Sequence, residues 1–235
     1  MIELYFSSTP NGLKLKLFLE EAGLQYRLVP VSLSKGEQFK PEFLAISPNG
    51  KIPAIVDQAP KDGGAPIAMF ESGAIMLYLA DKIGRLIPAD VRGRNDVLQW
   101  LFWQVSALGP MAGQAGHFKI YASEPVPYAL DRYTREVRRL YGVLDQRLQN
   151  REFVAGEFSI ADIACYPWIV PHRSHGQNLD EFPNLKRWFG KIAARPATIR
   201  AYAGIEDAYA TSVSHKLTAE ERKILFGQAG PAKKN

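Results

Sequence analysis

The chain predicts an α/β domain followed by an all-helical domain, and three observations carry that reading. Over residues 1–83 the hydrophobic pattern changes character roughly every ten to fifteen residues, with short apolar runs separated by turn clusters. From residue 89 to about 211 only helical spacing is found, apolar residues recurring at threes and fours. Between the two lies Gly84 to Pro88, a short linker punctuated by Gly and Pro. A length of 235 residues suits two small domains.

Taken in order, Ile2 to Phe6 is a short apolar strand that ends at the turn cluster Ser7-Ser8-Thr9-Pro10-Asn11-Gly12. Leu13 to Ala22 is a helix stopped by Gly23. Tyr26 to Val31 is a second strand, and Phe39 to Ile46 a short helix turned by Ser47-Pro48-Asn49-Gly50. Ile52 to Val56 and Pro66 to Phe70 are strands joined by the Gly-rich segment 60–64, and Ser72 to Ile83 closes the half as a helix. The order βαβ then ββα packs helices on a small mixed sheet. In the second half, Val97, Trp100, Leu101, Val105 and Leu108 mark one helix. Tyr133, Val137, Leu140, Tyr141, Leu144 and Leu148 mark another, with Arg132, Arg135, Arg138 and Arg139 on its polar face. Ser159-Ile160-Ala161-Asp162 is a capping box. Phe182-Pro183 opens a further helix, and Arg195-Pro196 breaks and restarts it. Residues 212–235 read as a polar tail whose end is loose.

Composition narrows the function classes. Hydrophobic residues are 46% and charged residues 23% of the chain, which is ordinary globular usage. No apolar run approaches the ~20 residues of a membrane span, and the first residues read as a strand rather than a secretory leader. The net charge of +5 comes from basic residues scattered over helix faces, without a nucleic-acid motif. A single cysteine, Cys165, allows no internal disulfide and fits a reducing, cytoplasmic setting. It falls on an apolar helix, where burial and a raised thiol pKa are expected. His117, His172, His175 and His215 form no metal spacing; they read as polar positions around an open cleft, His117 nearest an electrophile pocket.

Three short segments can carry chemistry. Thr9-Pro10-Asn11-Gly12 has the spacing of Cys-x-x-Cys with Thr and Gly in the cysteine positions. At a helix start, free amides and the dipole stabilise an anion, so a thiolate carried in by a ligand would be favoured there. Thr9 can donate a hydroxyl bond and Asn11 an amide bond; an ordinary N-cap turn reads the same way. In Lys51-Ile52-Pro53, a cis proline would free the backbone of Ile52 for strand-like pairing with a peptide ligand, whereas a trans proline would simply open a strand. Ser72 can cap the next helix and bind a carboxylate while Glu71 accepts from an ammonium, which together suit an α-amino acid head group. Gln38 on its own reads as exposed loop.

Together these segments resemble the glutathione transferase family over nearly the whole chain. The carriers are Ile52-Pro53-Ala54, Glu71-Ser72-Gly73-Ala74-Ile75 with Tyr78-Leu79, Ser159 to Asp162, Phe182 to Leu185 and Arg195-Pro196. Thr9 to Gly12, Phe43 to Ile52, Leu98 to Gln104 and Gly109-Pro110-Met111 are similar to the bacterial nu class of disulfide-bond reductases. The resemblance implies a thioredoxin-like first domain, a cytosolic homodimer, and glutathione as co-substrate with no metal. Thr9 and Asn11 would face the sulfur and act in catalysis, and Ile52 would pair with the cysteinyl unit. Glu71 and Ser72 would hold the γ-glutamyl end, with Gln38 and Lys51 near the glycyl end and Arg132 reaching in from the partner subunit. Other classes activate the thiol with Tyr, Ser or Cys; here Tyr5 reads as a core residue, while Ser7 and Ser8 remain alternative donors. The reactions implied are disulfide reduction by borrowed glutathione thiols, or conjugation or peroxide reduction, or binding without catalysis.

Overall fold

In a computed structural model, which describes residues 1–205 and 218–226, the first half is a four-stranded mixed sheet with helices against it. The strands are β1 (Ile2–Phe6), β2 (Tyr26–Pro30), β3 (Ala54–Asp57) and β4 (Ile67–Phe70), in the order β2-β1-β3-β4. β1 runs parallel to β2 and antiparallel to β3, with Leu4 opposite both Leu28 and Ile55. The helices are α1 (Pro10–Ala22), the single turn α2 (Pro41–Leu44) and α3 (Ser72–Ile83). α1 starts three residues before Leu13: Thr9 is its N-cap and Pro10 takes the first helical position, where its missing N–H costs nothing. Gly12 is required there, because a Cβ would stand 2.2 Å from the Ser7 carbonyl oxygen. β3 starts at Ala54 rather than Ile52, since the Ile52–Pro53 peptide is cis and turns the chain out of the ladder.

The second half is helical: α4 (Val91–Trp103), α5 (Gly109–Gly116), α6 (Pro127–Arg147), α7 (Ile160–Ile169), α8 (Pro183–Ala193) and α9 (Pro196–Tyr202). The helix expected around Val97 to Leu108 is longer than its stripe. α4 and α5 join through a π-helical turn at Gln104–Leu108, and a second such turn, His117–Tyr121, follows α5. Irregular chain between α3 and α4 covers residues 84–90.

The main core is continuous between the halves. α1 packs on α3, α7 and α9, so Leu13, Leu15, Leu17, Phe18 and Leu19 are all fully buried. Arg195 grips Glu21 at 2.5 and 2.9 Å, and Arg200 reaches Glu20 at 2.8 Å, tying α9 to α1. The expected capping box forms at the start of α7. Asp162 there is fully buried and accepts from the Val154 N–H at 2.9 Å, the Ser159 N–H at 3.1 Å and the Trp188 indole at 2.8 Å. Cys165 is fully buried, and burial pushes its thiol well above the ordinary range.

Three expectations are corrected here. Tyr5 does not enter the main core; it is part-buried and tilts against Phe43 at 5.8 Å in a separate small cluster. His175 is buried rather than set around an open cleft, and burial drives its imidazole down to about 4. Of the expected tail, residues 212–217 and 227–235 lie outside the described residues, as does His215. Within it, Thr218 and Glu221 make a capping box that starts α10 (Ala219–Leu225).

Candidate functional site

The start of α1, the cis Ile52–Pro53 corner and the start of α3 converge on one cleft. Asn11 lines three adjoining cavities: one of about 190 Å³ with Thr9, Gln38 and Ile52, one of about 190 Å³ with Ile52, Glu71 and Ser72, and one of about 500 Å³ that reaches Lys14 and Gln104. Lys51 borders all three. The structure therefore brings together Thr9, Asn11, Gln38, Lys51, Ile52, Glu71 and Ser72. Among the described residues, Arg132 does not line these cavities; it is exposed on α6.

At the α1 end the donors differ from the simple helix-terminus picture. Pro10 has no N–H, the Gly12 N–H is capped by Thr9 Oγ1 at 3.2 Å, and the Leu13 N–H bonds the Thr9 carbonyl at 2.9 Å. That leaves the Asn11 N–H, the Thr9 hydroxyl proton and the Asn11 side chain as donors of this turn. Trp168 fixes that side chain: its indole N–H, a donor only, meets Asn11 Oδ1 at 3.0 Å. The Asn11 Nδ2 group is thereby left to donate to a ligand. Trp168 stacks in turn on buried His175, with ring centroids 6.2 Å apart. Ser7 and Ser8 line none of the three cavities among the described residues, and Tyr5 borders a different one.

At the cis-proline corner, the buried Ser47 hydroxyl donates to the Lys51 carbonyl at 2.8 Å and holds the loop. Ile52 stands outside the ladder, so the sheet does not claim its N–H and C=O. A peptide backbone could pair there as an added strand. Gln38 is buried, not an exposed loop residue. Its amide donates to the Leu33 carbonyl at 3.1 Å, and its Oε1 has no protein partner.

At the α3 end the N-cap is Glu71, not Ser72. Glu71 sits at φ 70°, a left-handed conformation costly for a residue with a side chain. It makes no capping bond, so the first-turn amides of α3 stay available to an anion, and its carboxylate is exposed beside them. Ser72, in the first helical position, accepts a hydrogen bond from Lys14 at 3.2 Å. Lys14 is buried, and desolvation pushes its ammonium down to about 7, against the pull of Cys165 and Glu71. An open helix end with a hydroxyl and a cation, next to a free carboxylate, is chemistry for the carboxylate and ammonium of an amino acid.

Sequence reasoning missed Lys14, Trp168, Gln104 and α10. Gln104 is fully buried at the π-turn, and neither end of its amide has a protein partner. α10 borders one end of the cleft. Its Leu225 borders the cavity of Thr9 and Ile52, Arg222 donates to the Tyr121 carbonyl, and Phe226 packs on His117 at 4.6 Å. Beyond it, a cavity of about 820 Å³ holds His117 and reaches Lys51. Among the described residues no group of three His, Cys, Asp or Glu could hold a metal, and no helix is long and apolar enough to cross a membrane.

A thioredoxin-like sheet domain joined to a helical bundle, with an anion-binding cleft at the cis-proline corner, defines the glutathione S-transferase family. The chain belongs to that family: residues 3–81 match its N-terminal domain and residues 110–196 its C-terminal domain. Among individual proteins, it is 55% identical to the disulfide-bond oxidoreductase YfcG of Escherichia coli K12 over 202 residues, covering 86% of this chain and 94% of that one. It is 37% identical to the E. coli disulfide-bond oxidoreductase YghU, covering 85% of this chain and 73% of that one. A glutathione transferase family member from Pseudomonas fluorescens with two glutathione bound superposes with a TM-score of 0.80, at 45% identity over 85% of this chain and 91% of that one. A glutathione transferase from Pseudomonas putida with one glutathione disulfide bound per subunit superposes with a TM-score of 0.81, at 42% identity over 85% of this chain and 90% of that one.

Proposed function

We propose that this protein reduces disulfides with glutathione, using thiols supplied by glutathione and no cysteine of its own. The observation that carries this is the pairing of an oriented donor set at Thr9 and Asn11 with a single cysteine that is fully buried. In this reading the γ-glutamyl end lies on Glu71 and Ser72, the cysteinyl backbone pairs with Ile52, and the glycyl end lies toward Gln38 and Lys51. The sulfur then faces Thr9 and Asn11. Donors to a sulfur anion lower its thiol pKa, so more nucleophile is present at neutral pH. That thiolate attacks one sulfur of the substrate disulfide, forming a glutathione mixed disulfide and expelling the other sulfur as a thiolate that takes up a proton. A second glutathione thiolate attacks the glutathione sulfur of that mixed disulfide, giving glutathione disulfide and the second reduced thiol.

Support for this reading comes from the similarity to the disulfide-bond oxidoreductases YfcG and YghU and from the ligands in the two Pseudomonas structures. A homodimer in the cytoplasm completes it, with Arg132 of α6 supplied to the cleft by the partner subunit. Parallel steady-state assays with glutathione and hydroxyethyl disulfide, a chloronitroarene or an organic hydroperoxide test it. Disulfide reduction should have the highest kcat/KM of the three; a chloronitroarene turned over faster would make the protein a conjugating transferase.

A further inference from the structure

Lys14 is the one buried lysine among the described residues, at 1% exposure, and it sits on α1, a turn below the site that the sulfur would occupy. Its ammonium contacts a neutral hydroxyl, Ser72 Oγ, at 3.2 Å. A single bond of that kind does not offset the cost of taking an ammonium out of water. The group does not point into closed core, however. It borders the cavity of about 500 Å³ that also contains Glu71, Ser72 and the unpartnered amide of Gln104. When charged, Lys14 is a donor only, so Ser72 Oγ then accepts from it and the Ser72 hydroxyl proton is free to point into the cleft. The uncapped start of α3 contributes Glu71 and Ser72 to the same cavity wall.

We propose that Lys14 is a positioning residue for the α-carboxylate of the γ-glutamyl group: it orients the Ser72 hydroxyl as a donor and places a buried positive charge behind it. The inference rests on the glutathione reading above. It adds a pH dependence. The titratable groups that face Lys14 are Glu71 from the start of α3 and the Cys165 thiol from α7; Lys51, before the cis proline, borders the same cavity, with neutral Ser72, Gln104 and Asn11. A lysine pushed down to about 7 is largely neutral at pH 8 in the free protein. A carboxylate arriving beside it favours the charged form, so binding draws a proton in. Affinity is then greatest at and below pH 7 and weakens as pH rises above it.

The experiment is calorimetry with S-methylglutathione, which has no thiol to titrate, at pH 8 in two buffers of different ionisation enthalpy. Wild type should take up a large part of one proton on binding. Lys14→Met should bind about tenfold more weakly, with that uptake lost, while melting at the wild-type temperature or above because a buried amine with one hydrogen-bond partner is replaced by an apolar side chain. The S-methyl analogue with 4-aminobutyryl in place of the γ-glutamyl group lacks the carboxylate, and both proteins should bind it equally. No proton uptake by wild type, or equal weakening for both ligands, overturns the proposal. Failure of the glutathione reading itself looks different: S-methylglutathione would give wild type no heat of binding.

Discussion

Replacing Asp162 with alanine should cost about 3–5 kcal/mol of stability, the range for removing one partner from a buried charged network. The carboxylate is fully buried where the loop before α7 meets α8, and it collects the Val154 and Ser159 amides and the Trp188 indole, with the Ser159 hydroxyl at 3.3 Å. Burial raises its pKa to about 6, against the pull of those donors, so at neutral pH it is mainly ionised. Alanine would leave the donors unanswered in the middle of the helical domain, where Trp188 has no exposure and water cannot replace the lost oxygen. At ~2–4 °C per kcal/mol for a chain of this size, the melting temperature should fall by about ten degrees. Asp162→Asn keeps one acceptor oxygen and should lie between the two. A melting temperature for Asp162→Ala within a degree of wild type would mean that the network is not what fixes this corner.

Asn11→Ala should lower disulfide turnover by roughly tenfold to a hundredfold, and Thr9→Ala by less. A hydrogen bond to a charged acceptor is worth about 1.5–3 kcal/mol, and each 1.4 kcal/mol is a factor of ten in rate. The two differ because of the cap. Removing the Thr9 hydroxyl also releases the Gly12 N–H it was holding, and that amide becomes a donor to the same region. Removing the Asn11 amide has no such compensation and leaves the Trp168 indole unpaired. The pKa of bound glutathione, followed by thiolate absorbance, should rise in both variants and most in Asn11→Ala. Overall affinity should change less, since the sulfur is one of several anchors. If Ser7→Ala or Ser8→Ala raises that pKa more than either variant, the donor is a serine despite its place outside the cavities.

Signals confined to a few neighbouring residues were legible in the sequence, and those that depend on distant packing were not. β1 and the Ser159–Asp162 capping box appear where their patterns place them, because strand runs and caps are read over a few residues. The cis state of Pro53 stayed open in the sequence, since either isomer suits a strand start. Lys14 could not be found: in Leu13-Lys14-Leu15-Lys16-Leu17 a lysine reads as a solvated position. α1 is enclosed by the sheet, α7 and α9, so helical periodicity loses its usual link to exposure. The Trp168–Asn11 bond joins residues 157 apart and has no local signature. The π-turns change backbone register without altering the apolar spacing enough to show. α10 does carry a local signal: Thr218 with Glu221, ahead of Ile224-Leu225-Phe226, has the same capping-box form as Ser159 with Asp162.

In the proposed mechanism the reducing thiols come from glutathione alone. The direct measurement is disulfide turnover by Cys165→Ala, with glutathione and hydroxyethyl disulfide, alongside glutathione affinity and thermal melting. Cys165 is fully buried with its thiol pushed strongly toward the protonated form, so the variant should keep activity within a few-fold of wild type. Loss of turnover in a variant that still folds and still binds glutathione would place a protein thiol in the cycle and contradict the mechanism.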